Sequence, residues 1–179
     1  MALPLTPGNY ELDAAHSSAS FSIRHLGISN VRGRFAVPSG HLVIGDDLQA
    51  THVEASVAVD TLDTNDSGRD AHVKSPDFLD AVAFPTFEFV SKSIQTSGDA
   101  YILNGDLTIK GNTRPVQLEV EFNGVQQHPF DGTTRAGFEA STTISKSEFG
   151  VEFNAPLGAD KFLLGDKLKI NLDLQFIAK

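Results

Sequence analysis

Leu168–Phe176 reads LKINLDLQF, and its alternation decides the fold. Leu168, Ile170, Leu172, Leu174 and Phe176 fall on one parity, and Lys169, Asn171, Asp173 and Gln175 on the other. Successive side chains of a strand point to opposite faces, so this stretch is a strand with one apolar and one wet face. A sheet of such strands must bury its apolar face, either against a second layer or by curling onto itself.

Working outward, the alternation recurs. Arg135–Ser145 aligns Ala136, Phe138, Ala140, Thr142 and Ile144. Val116–Phe122 aligns Val116, Leu118, Val120 and Phe122, and Ile102–Lys110 aligns Leu103, Gly105, Leu107 and Ile109. Thr86–Ser93 carries Phe87 and Phe89, and Thr51–Asp60 sets Val53, Ala55, Val57 and Val59 opposite polar neighbours. Ser18–His25 places Phe21, Ile23 and His25 together, while Val31–Val37 sets Gly33 and Phe35 against Arg32 and Arg34. Tyr10–Asp13 and His41–Ile44 are shorter, and GNTRP at 111–115 reads as a hairpin turn. About eight of these strands are long, the number at which a closed barrel either holds one small ligand or fills itself with side chains. Small inward residues (Gly33, Ala55, Gly105, Ala136, Ala140) favour a hollow interior. A solid core packed by the 13 Phe residues is the alternative, and parity leaves both open.

One stretch does not alternate: TNDSGRDAHVKSPDFLDAVAFP, between the fifth and sixth strands. Asp66 or Ser67 can cap a helix over roughly Gly68–Lys74, and Pro76 can open a further turn through Phe78 and Leu79. Pro85 restores extended structure. Such an excursion is expected to plug or lid one end of the barrel. The long loop Lys146–Gly165, with Phe149, Phe153, Phe162 and Leu163 scattered through it, is expected to cover the surface or the other end.

A length of 179 residues fits one domain over 1–179. The net charge of −9 argues against nucleic acid and against docking on an anionic membrane surface. There is no apolar run long enough to span a bilayer as a transmembrane segment. The opening MALPLTPGNYELD lacks the charged start and apolar core of a secretory signal, so a cytoplasmic location is expected. Without Cys there are no disulfides, thiolate ligands or Cys nucleophile.

The densest group of reactive side chains is Arg69-Asp70-Ala71-His72. On a helix Arg69 and His72 share a face and Asp70 turns away. The group reads either as a general base or metal ligand, or as a polar network tying a short helix to the barrel rim. His16 beside Asp13, and His25 at the end of an apolar parity, are the other candidates. No HxH, HxxxH or HExxH spacing supports a metal, and no metal is expected. GxSxG, SxxK and phosphate-cradling glycine loops are absent too.

Several segments resemble the YceI-like family: HSSASFSIRHLGISNVRGRF (16–35), SGRDAHVKSPDFLDAVAFPTFEFVS (67–91), GDLTIKGNTRPVQLEV (105–120) and SEFG (147–150). The resemblance runs in order through nearly the whole chain. It implies an extended antiparallel lipocalin-like barrel, often a homodimer, whose apolar tunnel holds a polyisoprenoid or similar lipid, with no established catalytic residues. Two departures stand out. Lys146 occupies a place where the family often has Arg, which loses a planar bidentate donor. Many members are secreted, whereas this sequence shows no signal.

The expectation is therefore an all-β, extended antiparallel eight-stranded lipocalin-like barrel with a short helical insertion. It would bind, carry or store a polyisoprenoid or similar long-chain amphiphilic lipid without catalysis, and the lipid would be its only cofactor-like ligand. Parity puts Phe21, Ile23, Phe35, Val57, Phe87, Phe89, Leu107, Val120 and Phe138 inside, with Phe78 near one mouth. Arg69, His72 or His25 would hold a polar head there. A rival reading is an enzyme acting on a lipid or quinone-like substrate through His25, His72 and Asp70, which must then converge within hydrogen-bond reach. A third is a filled barrel that works through its outer face.

Overall fold

The computed structural model describes residues 3–179. Its strands are β1 (Gly8–Leu12), β2 (Ser18–His25), β3 (Ser29–Ala36), β4 (Ser39–Ile44), β5 (His52–Ala58), β6 (Thr86–Ser97), β7 (Ala100–Ile109), β8 (Asn112–Gln127), β9 (Thr134–Ser145), β10 (Pro156–Gly158), β11 (Lys161–Phe162) and β12 (Leu164–Ala178). Among the described residues a single α-helix, α1 (Ser67–Lys74), lies between β5 and β6. Strands β1, β4, β5, β6, β7, β8, β9 and β12 pair antiparallel in that order, and β12 closes back on β1. The expected closed eight-stranded barrel with one short helix is therefore present.

The edge of β12 serves two partners. Its lower part pairs with β1 (Leu12↔Phe176, Tyr10↔Ala178) and its upper part with β2 (Asp173↔Ser18 through Leu164↔His25). A 3-10 turn at Ala14–His16, capped by Asp13 through the Ala15 amide, separates β1 from β2. The β2–β3 hairpin therefore extends one wall above the ring. Its free edge meets the chain after β5 through a reciprocal pair of Arg34–Asp63 backbone hydrogen bonds, each 3.0 Å.

Three details differ from expectation. The turn after β7 is Lys110-Gly111, whose φ values of 50° and 73° make a two-residue primed turn. Asn112–Pro115 therefore belong to β8, paired with β7, and not to a turn. Gly33 and Gly105 do not leave space. A Cβ on Gly33 would sit 2.6 Å from Cζ of Phe21, and one on Gly105 2.5 Å from Cζ of Phe89, so a neighbouring ring already lies across each. Finally, the loop after β9 does not go to the opposite end. It folds over the same end as the helical insertion, where Phe153 meets Phe78 at 4.4 Å between ring centroids.

Two packed groups cap the barrel. Leu3, Tyr10, Leu42, Ile44, Ala136, Phe138 and Phe176 form a floor at the β1 end. Phe35, Val59, Leu62, Phe78, Leu79, Phe149 and Val151 form a roof at the α1 end.

Candidate functional site: an apolar interior

Between floor and roof lies a cavity of about 440 Å³, within the size range of small-molecule sites. Strand β12 contributes Leu164, Leu168, Ile170, Leu172, Leu174 and Phe176, its apolar parity, to the wall. From Leu164 to Phe176 the strand, bulged between Leu164 and Leu168, covers roughly 33 Å, or roughly 25 Å along a barrel axis to which strands are tilted. The interior is long, narrow and walled almost wholly by carbon.

The structure puts Phe21, Ile23, His25, Phe35, Val57, Phe87, Phe89, Leu107, Val120 and Phe138 on this wall, with Arg69, His72 and Phe78 at its upper end. Phe21, Phe35 and Phe87 form a chain of rings, with centroids 5.6 and 5.3 Å apart. A lone buried aromatic would leave gaps that such a chain closes.

The charged and histidine side chains of the wall cluster at the roof and serve the local chain, while Tyr101 packs with the floor group. Asp66 caps α1 by accepting from the Arg69 amide at 2.9 Å. The Arg69 guanidinium donates to the Thr64 hydroxyl (2.8 Å) and carbonyl (2.7 Å). Asp70 turns away from the cavity and accepts from the Thr64 amide (3.0 Å) and hydroxyl. The His72 ring stands edge-on to Phe78 and Phe153, with centroids 5.0 and 4.9 Å away, and its Nε2 lies 3.3 Å from the Asp77 carboxylate.

Among the described residues no hydrogen bond joins His25, His72 and Asp70, and Asp70 is not on the cavity wall. The convergence that the enzyme reading required is not there. His16 bonds to Asp13, which lies beside Gln175, whereas His25 pairs with Leu164. They lie at opposite ends of β2, roughly 25–30 Å apart. Among the described residues no group of three or more potential metal ligands gathers.

Sequence reasoning missed Lys146, Phe149, Val151, Phe153, Thr64 and Leu3, all on the wall. Lys146 is only 7% exposed, and its Nζ donates to the Val151 and Phe153 carbonyls, each at 3.2 Å. These bonds hold the loop against the barrel mouth and keep the buried cation solvated by dipoles. Next to it, Asp166 accepts from the Ser147 amide (3.0 Å) and hydroxyl (2.9 Å). Desolvation pushes the Asp166 carboxyl up, but the Ser147 bonds and the Lys146 charge outweigh it and hold it below its ordinary value.

Residues 10–176 match the sequence pattern of the YceI-like domain. The chain belongs to the YceI-like family. A UPF0312 protein of Staphylococcus aureus (strain USA300) is 36% identical over 170 residues, covering 94% of this chain and 96% of that one. Among solved structures, Burkholderia cenocepacia BcnA aligns with a TM-score of 0.76 at 23% identity, over 92% of this chain and 98% of its own. A polyisoprenoid binding domain from Saccharophagus degradans, implicated in plant cell wall breakdown, aligns at 0.69 with 12% identity, over 97% of this chain and 100% of its own. At those identities the two structures speak for the barrel alone. The YceI-like span, Tyr10 to Phe176, reaches into all eight strands of the ring.

Proposed function

We propose that this YceI-like protein binds a polyisoprenoid or similar long-chain amphiphilic lipid and carries or stores it without catalysis. The observation that carries the reading is the long apolar interior whose charged and histidine side chains, His25, Arg69, His72 and Lys146, gather at one end. A tail lies along the carbon wall, and Arg69, His72 and His25 face the polar head at the roof. The Saccharophagus degradans domain is a polyisoprenoid binding domain, which supports the same choice of ligand class.

The energetics favour a tail over a polar substrate. Each methylene removed from water contributes about 0.8 kcal/mol. A dozen would contribute about 10 kcal/mol before the cost of association and ordering. Such a wall discriminates poorly among apolar chains but excludes polar ones, because nothing in it replaces lost water hydrogen bonds.

Organic extraction of purified protein followed by mass spectrometry is expected to release a prenyl-type lipid. Ala140→Phe, which puts a ring into the cavity from β9, is expected to abolish both that release and uptake of added prenol. A lipid-free spectrum with no uptake by the unaltered protein would overturn the proposal. Native mass spectrometry of the same sample reads the homodimer that the family resemblance implies.

A further inference from the structure

The whole-chain charge of −9 averages over a very uneven surface. Register lays Lys169, Ser22 and Arg32 in one row across β12, β2 and β3, and Asn171, Ser20 and Arg34 in the next. Arg24 and Lys167 stand above those rows, and Thr143 and Ser141 of β9 flank them. Across β9, β12, β2 and β3 this upper outward face carries no carboxylate until Asp173 and Glu139 at its lower border, and Glu119 of β8 flanks it beside Ser141. Arg34 is paired with Asp63 at 3.0 Å. Exposed Arg24, Arg32, Lys167 and Lys169 pair with no acidic side chain among the described residues.

An apolar rim adjoins this face. The β2–β3 turn exposes Leu26 (42%) and Ile28 (80%), and the β10–β11 flap exposes Leu157 (47%) and Phe162 (54%). The Leu26 amide donates to the Leu163 carbonyl at 2.8 Å, which ties turn to flap. Lys161 is exposed on the flap as well. The rim's acids are Glu152, Asp160 and Asp166, and both oxygens of Asp166 are engaged by Ser147. Between turn and flap runs a crevice lined by Arg24, Gly27, Phe162, Glu152 and Asp166, which shares Lys146 and Leu164 with the interior cavity.

We infer that this edge docks on an anionic lipid bilayer and that the crevice is the doorway between bilayer and barrel. Ile28 and Phe162 enter the boundary between head groups and acyl chains. Arg24, Arg32, Lys167 and Lys169 lie over the lipid phosphates. Apolar tips beside a basic face are the two components of interfacial binding, and neither suffices alone. The acidic remainder of the surface repels the same bilayer, so only one orientation is stable. A barrel tilted with this edge downward brings tips and basic face to one plane. Docking itself does not depend on the cargo; only the doorway rests on the lipid-binding reading proposed above.

The test is co-sedimentation of the full chain with phosphatidylcholine vesicles, with and without phosphatidylglycerol. Binding is expected only with phosphatidylglycerol and is expected to fall with added salt. Arg32→Gln with Lys169→Gln should weaken it about 25-fold, at about five-fold per charge. Phe162→Ser should weaken it about ten-fold, the cost of leaving one large side chain in water. Thermal unfolding of each variant confirms that the fold is retained. Equal binding to both vesicle types, or to neither, overturns the inference. So does duplex DNA that competes as well as vesicles at the same salt, since the face would then read any polyanion. Dimer loss in Phe162→Ser, seen by native mass spectrometry without vesicle binding, would make the edge an interface between copies. Prenol uptake from detergent, measured in parallel, separates the two proposals: uptake without docking ends this one and leaves the cavity reading intact.

Discussion

At the β1 end strand residues make the closure with Leu3 added from the segment before β1, whereas at the α1 end no strand reaches across. The floor packs Tyr10, Leu42, Ala136, Phe138 and Phe176 from neighbours in the ladder, and the backbone of each of these five is paired on both flanks. The roof is assembled from a helix, a turn and a loop that touch through rings and a few side-chain bonds. The difference separates two tasks. Ladder-anchored packing cannot rearrange without unpairing strands, so the floor carries stability. Irregular pieces can shift at small cost, so the roof governs access.

The sharpest break of that comparison is Phe176→Ala. Phe176 is 3% exposed, and its loss should cost about 3–5 kcal/mol, read as a lower urea midpoint at unchanged slope. Phe153→Ala in the roof should cost only about 1 kcal/mol yet speed release of a fluorescent acyl probe. If the two substitutions cost the same, the division between ends is wrong.

The smallest effect is expected from acid, and it touches both ends. Near the floor, partial burial raises the Asp13 carboxyl, but His16, the Ala15 amide and Arg135 outweigh it and hold it low. The Thr133 hydroxyl and amide, with Arg135, hold Asp131 well below the usual carboxylate range. At the roof side the Asn65 amide and Arg34 lower Asp63, and Asp166 is lowered as described above. A depressed carboxylate stabilises the fold only while it is ionised. Its contribution is complete above the ordinary Asp value of 3.8 and disappears as pH falls through the lowered ones. The melting temperature should therefore be flat from neutrality down to that value and then drop. Arg135→Gln should blunt the drop, because it removes the cation shared by Asp13 and Asp131.

Much of the ring was legible because alternation is a local property. The parity of Leu168–Phe176 predicted which side chains face inward, and the cavity wall carries those residues. The parity of β9 also extended to Lys146, two residues past Ile144, but a charged side chain was not expected to face inward. Phe149 and Phe153 had no period to betray them, since a loop sets each side chain by tertiary contact alone. The shared edge of β12 was hidden because strand pairing is not written in either partner alone. Gly33 and Gly105 misled for a related reason: the ring that covers each belongs to an adjacent strand. The basic face escaped because a sum over the chain has no direction.

The packed floor has one more consequence in the proposed role. A wall of hydrocarbon offers a tail nothing to be recognised by, neither double bonds nor branch points in any hydrogen-bonding sense. What remains is extent. With Phe138 and Phe176 as a fixed stop and the polar groups of the mouth as the other mark, the barrel works as a gauge: a short chain leaves empty space beneath it, and one too long strands its head in water.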